Sequence, residues 1–177
     1  MPDLLLSRRS ALAGTAAWLA GAASAQGLTG PAFEVSPWKG PLGAFSLLDT
    51  TGKTWRPADL AGRAVLINFW ASWCEPCRAE MPTLQQLADL YGPEKMLVLA
   101  VNFKEPAARA LQFAKTTGVT LPVLLDLDGS KARQWGVKVF PTTLMLDNKG
   151  RPRQRVMGEV DWTSAAAEKL IAPLMAA

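Results

Sequence analysis

Two cysteines, Cys74 and Cys77, are the only thiols in the 177-residue chain, and two residues separate them. That spacing can close a disulfide, supply half of a metal site, or simply fill space. A four-ligand zinc site of nitrogen and sulfur donors needs two further Cys or His residues. The chain has no histidine and no third cysteine, so an intrachain site is excluded and only one shared between two chains stays open. As a structural staple the pair is poor, because so short a loop constrains the unfolded chain little and closes with strained geometry. Strain makes a disulfide easier to reduce, which suits the same spacing to a redox centre. No metal and no cofactor beyond the cysteine pair is expected.

The elements that must position the pair can be read on either side of it. Ala64 to Phe69 is a continuous apolar run of strand type. Past the cysteines the apolar spacing becomes helical, with Cys77, Met81, Leu84, Ala88 and Tyr91 on one face and Gly92-Pro93 as the stop; Pro82 falls inside. A second unit repeats the order. Met96 to Val101 reads as a strand, and a helix starts at Pro106 and ends at Gly118 with Ala107, Leu111 and Ala114 inward. Val123 to Leu125 is a short strand and Ser130 to Trp135 a short helix. Thr142 to Leu146 and Arg153 to Met157 flank the turn Asp147-Asn148-Lys149-Gly150, and Trp162 to Leu174 is a closing helix. Before all of these, Ala44 to Leu48 and Lys53 to Trp55 flank Asp49-Thr50-Thr51-Gly52 as a hairpin, and Asp59 suits the cap of a short turn. Two βαβ-like units followed by a hairpin and a helix make an α/β domain, a mixed central sheet flanked by helices on both faces.

Length and composition agree with one such domain over 42–177, since 49% hydrophobic residues is ordinary for a globular chain. Residues 26–41 carry closely spaced Pro and Gly around Phe33 and Trp38 and read as an extended lead-in on the surface. Residues 1–25 read as an export signal: Ser7-Arg8-Arg9-Ser10, an apolar stretch from Ala11 to Ala22, and a cleavage site at Ala23-Ser24-Ala25. The paired arginines with Leu12 point to the twin-arginine route over ordinary secretion. An uncleaved anchor is disfavoured, because the stretch is shorter than the roughly 20 apolar residues that span a bilayer. The expected location is the periplasm. There an idle cysteine pair would sit oxidised, so a working pair must have its redox state maintained. The net charge of +4 does not imply nucleic-acid binding. The one basic group, Arg151 to Arg155, lacks interleaved aromatics and reads as the solvated face of a strand.

Trp73-Cys74-Glu75-Pro76-Cys77 between strand and helix, with Phe140-Pro141-Thr142-Thr143 before a hairpin, resembles the thioredoxin fold. More narrowly, with the N-terminal hairpin and Asn102-Phe103-Lys104-Glu105, the chain is similar to the TlpA/ResA-like thiol-disulfide reductases over about residues 42 to 175. The resemblance implies that Cys74 is the nucleophile, made acidic by the helix N-terminus, and that Cys77 is the buried resolving thiol. Pro141 matches the family's cis-proline, whereas from its residues alone it could equally be a trans proline opening a strand. A client strand would lie against Trp73, Glu75, Pro76, Phe140 and Thr142. Trp70 is read as active-site wall or core, and Trp38, Trp55, Trp135 and Trp162 as packing.

Thioredoxins usually carry a buried aspartate where this chain has Asn68, which exchanges no proton. Glu105 stands at the place of a glutamate of ResA-like members. It is expected to relay the Cys77 proton with a carboxyl pKa raised by burial, and it can also cap or charge-match the helix that follows it. The implied activity is periplasmic reduction of client disulfides by a monomer, with apocytochrome c or copper-delivery proteins as clients. A membrane disulfide reductase would be the electron donor. An oxidant of DsbA type is a rival, set back by the absence of a long helical insertion. A copper carrier is another, set back by the absence of histidine.

Overall fold

The register of the sheet explains how one edge of the domain gathers the chemistry. The computed structural model describes residues 33–176; the stretch expected to be an export signal, 1–25, and the first part of the lead-in, 26–32, lie outside the described residues. Strand β4 (Ala64–Trp70) is buried along its whole length and sits at the centre of a six-stranded mixed sheet of order β1-β8-β7-β4-β5-β6. It pairs in parallel with β5 (Met96–Phe103), which pairs in parallel with β6 (Val123–Asp126). On its other side it pairs antiparallel with β7 (Thr142–Leu146), followed by β8 (Pro152–Gly158) and β1 (Phe33–Pro37). A parallel strand and an antiparallel one run in opposite senses. The C-terminal ends of β4, β5 and β6 therefore meet the N-terminal end of β7 at a single edge. That edge carries Trp70, Phe103, Asp126 and Thr142.

Steps from β4 to β5 to β6 go the same way across the sheet, and right-handed crossovers then place both connecting helices on one face. These are α1 (Glu75–Tyr91) and α2 (Ala107–Thr117), and the C-terminal helix α4 (Ala165–Met175) joins them. Even-numbered positions of β4, namely Ala64, Leu66 and Trp70, face this side. Val65, Ile67 and Phe69 face the other, where the hairpin of β2 (Leu47–Leu48) and β3 (Thr54–Trp55), a 3-10 turn (Pro57–Leu60) and α3 (Ser130–Gln134) cover them. Asn68 falls on the α1 side by this alternation. A mixed sheet with helices on both faces is the architecture expected from the sequence, although its edge strand β1 is not.

Three local readings change. The lead-in contributes a paired strand, β1, whose Pro37 and two polar residues hide any alternation. On α2 the buried stripe is Ala110 and Phe113, with Ala107 and Ala114 packed beside it, and Leu111 is 44% exposed. Helix α4 begins after Trp162, because Ser164 caps it by accepting from the Ala167 N–H at 3.2 Å. The arginines of β8 and the turn before it are engaged rather than free. Arg151 and Arg153 pair with buried Asp147, and Arg155 donates to the Trp135 carbonyl. Of the tryptophans taken as packing, Trp38, Trp55, Trp135 and Trp162 are all buried.

Candidate active site

The chain leaves β4 at Trp70, turns through Ala71 to Trp73, and enters α1 with Cys74 as the N-cap. Cys74 and Cys77 form a disulfide, one turn of helix apart, and the Cys77 N–H donates to Cys74 Sγ at 3.3 Å. A sulfur in that position faces the unpaired N–H groups of the first turn, which favour negative charge once the bond opens. Pro76 occupies the first turn, where its missing N–H removes no bond. Both sulfur residues are nearly covered, at 6% exposure for Cys74 and 1% for Cys77. Cys74 is the more accessible member.

Around the pair the expected contact residues divide. Trp73 is 61% exposed and meets Phe140 edge-on, with ring centroids 5.9 Å apart. Phe140 also packs on Phe103. The Phe140–Pro141 bond is cis, as the resemblance implied. Glu75 and Pro76 are exposed, and Glu75 pairs loosely with Arg78 at 3.6 Å. Thr142 differs: it is buried between β4 and β8, and its hydroxyl donates to the Val139 carbonyl at 2.8 Å, so it is not part of the exposed surface. Trp70 is fully buried against Phe113, a core residue rather than a wall.

Glu105 does not stand as expected. A left-handed turn at Lys104 (φ 55°) carries it beneath the loop that precedes Cys74. There its carboxylate accepts from the Ser72 N–H at 2.8 Å, the Ser72 hydroxyl at 2.6 Å and Asn102 Nδ2 at 2.7 Å, and Arg109 Nε lies 3.1 Å away. Burial alone pushes this carboxyl up, but the bonds from Ser72 and Asn102 and the Arg109 charge together hold it below the ordinary range. The raised pKa expected of a proton relay is therefore overturned. So is the helix cap, since the N-cap of α2 is Pro106 and no side chain caps it. Glu105 ties down the Ser72 loop.

The carboxyl with raised proton affinity is Glu80, which the sequence reading passed over. It follows Cys77 by three residues, so the two are neighbours on the helix surface, and only 2% of it is exposed. Burial pushes its pKa to about 8, against donors that favour the charged form: Trp162 Nε1 at 2.6 Å, Asn68 Nδ2 at 3.1 Å and the Val160 backbone; Glu159 pushes the same way as burial. The signal was present: position 80 adjoins Met81 within the inward stripe, where an unpaired charge has no ordinary place.

Taken together the site offers an accessible sulfur at a helix N-terminus, a covered partner sulfur one turn on, and a buried carboxyl beside the second. That set can exchange a disulfide for two thiols and hold one of the protons involved.

Comparisons with known proteins point the same way. A family model described as Redoxin matches residues 26–171. The thiol-disulfide oxidoreductase ResA of Geobacillus thermodenitrificans is 35% identical over 114 residues, covering 64% of this chain and 66% of the relative. The thioredoxin-like protein YneN of Bacillus subtilis is 43% identical over 111 residues, covering 60% of this chain and 63% of that one. The chain thus spans just under two thirds of the length of these curated relatives. Among solved structures, a candidate thiol:disulfide interchange protein DsbE from Chlorobium tepidum superposes with a TM-score of 0.69 at 30% identity, over 76% of this chain and 94% of that one. The chain belongs to the Redoxin family, with a thioredoxin-like fold.

Proposed function

We propose that the chain is a thiol-disulfide oxidoreductase of the bacterial periplasm that reduces disulfides of client proteins. The observation that carries this reading is the Cys74–Cys77 disulfide at the N-terminus of α1 with Glu80 buried behind Cys77. The reacting enzyme is the dithiol. Cys74, as thiolate, attacks one sulfur of the client disulfide; that bond breaks, and the departing client sulfur takes up a proton. Cys77 then gives its proton to the Glu80 carboxylate and attacks Cys74 Sγ, which closes the Cys74–Cys77 bond and expels the second client sulfur as a thiolate that takes up a proton. Two electrons have passed to the client. An ordinary thiol titrates near pH 8.5, and Glu80 at about 8 is close to it. Burial thus raises the proton affinity of Glu80 toward the thiol range, which suits it to receive a thiol proton.

Trp73, Phe140 and the backbone around Pro141 form the surface a client segment would meet, with Glu75 and Pro76 at its rim. The N-terminal Arg8-Arg9 and Ala23-Ser24-Ala25 pattern supports export, by the twin-arginine route, and the pair must then be re-reduced by a membrane disulfide reductase. Apocytochrome c and copper-delivery proteins, which present paired cysteines, are the clients this reading favours. Equilibration of the Cys74/Cys77 couple with glutathione tests direction. A midpoint near that of thioredoxin, about −270 mV, is expected; one near that of DsbA, about −120 mV, would make the chain an oxidant.

A further inference from the structure

Glu80 is gripped on both oxygens by neutral donors that solvent does not reach. Trp162 Nε1 donates to Oε1 at 2.6 Å, and Asn68 Nδ2 donates to Oε2 at 3.1 Å. Asn68, Glu80 and Trp162 are 0%, 2% and 1% exposed. The loop that carries Trp162 is itself fastened to this turn of α1. The Trp162 N–H donates to Thr83 Oγ1 at 3.1 Å, and Thr83 Oγ1 in turn donates to the Glu80 carbonyl at 2.8 Å. The indole is therefore placed on Glu80 by a tie that runs through the Thr83 hydroxyl.

The two donors are not equivalent chemically. An indole N–H can only donate. An asparagine amide can present either its NH2 or its oxygen, and turning it over exchanges the two. Here Asn68 spends its donors on Glu80 and Thr143 Oγ1, while its own Oδ1 is buried without a partner. An orphaned buried acceptor is costly, by about 1–3 kcal/mol. A protonated Glu80 is accommodated if the proton sits on Oε2 and the amide turns: Oδ1 then accepts the new O–H, and Nδ2 takes over the unpartnered place. A proton on Oε1 has no such outlet, since it would confront the indole donor head-on. The remaining groups that face Glu80 are Cys77 on its own helix, the Val160 backbone, and the Glu159 charge from the segment after β8.

We propose that Trp162 is a positioning residue for proton exchange in this site: its indole N–H keeps Oε1 unprotonated and directs the exchangeable proton to Oε2, where Asn68 receives it. The inference rests on the reading of Glu80 as the group that exchanges a proton with Cys77. It gives Trp162, which as a core residue needs only bulk, a role that depends on one hydrogen atom.

The test uses the oxidised full chain, in which no thiol titrates. Glutamate carboxyls are labelled with carbon-13, and the Glu80 resonance is identified by its loss in Glu80→Gln. Trp162 is replaced by benzothienylalanine, which keeps the ring and lacks the N–H, and separately by phenylalanine. Loss of one donor to a charged group should raise the Glu80 midpoint by about one pH unit in both variants. Asn68→Leu should raise it less, because the amide serves the acid form as well. An unchanged midpoint in the benzothienylalanine protein overturns the proposal, whether or not the phenylalanine variant folds. Failure of the relay itself is read elsewhere: if Glu80→Gln leaves the alkylation profile of the reduced thiols unmoved, the relay falls, while the midpoint in the oxidised protein still reports what Trp162 does to Glu80.

Discussion

Glu80 and Glu105 are two carboxyls with nearly the same exposure, 2% and 6%, on either side of the segment that holds the cysteines. Their proton affinities go opposite ways: Glu80 is pushed up to about 8 and Glu105 is held down. Desolvation raises both, but Glu80 lies deep in the domain and Glu105 near its surface, so burial lifts Glu80 further. The donor set widens the difference. Glu105 receives three hydrogen bonds, two of them from Ser72 alone, and a guanidinium stands beside it. Glu80 receives weaker compensation from an indole, an amide and a backbone group, and a second carboxylate, Glu159, lies near. One carboxylate is built to stay charged and hold a loop. The other is left near the point of balance, which is where a proton carrier has to be.

The largest test of that contrast is thermodynamic. For Glu80 the folded pKa lies above the unfolded one, so between the two the folded state binds the extra proton and stability falls as pH rises. The window runs from about 4.5 to about 8. The chain has no histidine, so no imidazole titrates within this window. Urea unfolding of the oxidised protein should lose about 1.4 kcal/mol per pH unit between pH 5 and 7.5, roughly 3 kcal/mol in all. Glu80→Gln should flatten that slope. A slope that survives the substitution would mean Glu80 ionises like an ordinary carboxyl.

Glu105→Gln is the counterpart. An amide has one acceptor oxygen for three donors and no charge for Arg109, so a loss of about 2 kcal/mol is expected. Its pH behaviour has the opposite sign. A depressed carboxylate contributes its stability above the unfolded pKa and loses it as pH falls through the lower folded value. The deficit of Glu105→Gln should thus be constant from pH 5 to 7.5 and shrink only below about pH 4. A deficit that grew or faded across the neutral range would place Glu105 in the same class as Glu80.

Why the sequence points to Glu105 and not to Glu80 is a matter of where their partners sit. Strand β4, helix α1, the Asp147–Gly150 turn and the cysteine pair are written in local signals: an apolar run, a helical stripe, turn residues and a two-residue spacing. Glu80 is decided by Asn68, 12 residues before it, and Trp162, 82 residues after it. Glu105 is decided largely by Ser72, 33 residues before it. No periodicity encodes such pairings, and only the sheet order brings them together. The inward stripe of α1 did contain a clue, since Glu80 adjoins Met81, whereas nothing in Phe33 to Pro37 marks β1 as a paired strand. The exposed Leu111 shows a smaller version of the same limit: a stripe of spacing four fits one face of α2, and the buried Phe113 fixes another.

The smallest effect is the one that decides whether the comparison has been read correctly. If neutral donors set the state of Glu105, the cation is secondary. Arg109 is 63% exposed at its side chain, and its Nε is shared between Ser72 Oγ at 2.8 Å and Glu105 Oε1 at 3.1 Å. Arg109→Gln should therefore cost only about 0.5 kcal/mol, discounted for solvent screening. The wild-type advantage should vanish in 1 M salt, where the Debye length is about 3 Å. Carboxyl titration should find Glu105 still below its ordinary value, because the bonds from Ser72 and Asn102 outweigh Arg109. If Glu105 instead rises above that value once Arg109 is gone, charge and not hydrogen bonding separates the two sites. Glu80 would then differ from Glu105 chiefly in lacking a cation, and a lysine or arginine engineered beside Glu80 would be enough to abolish its proton exchange.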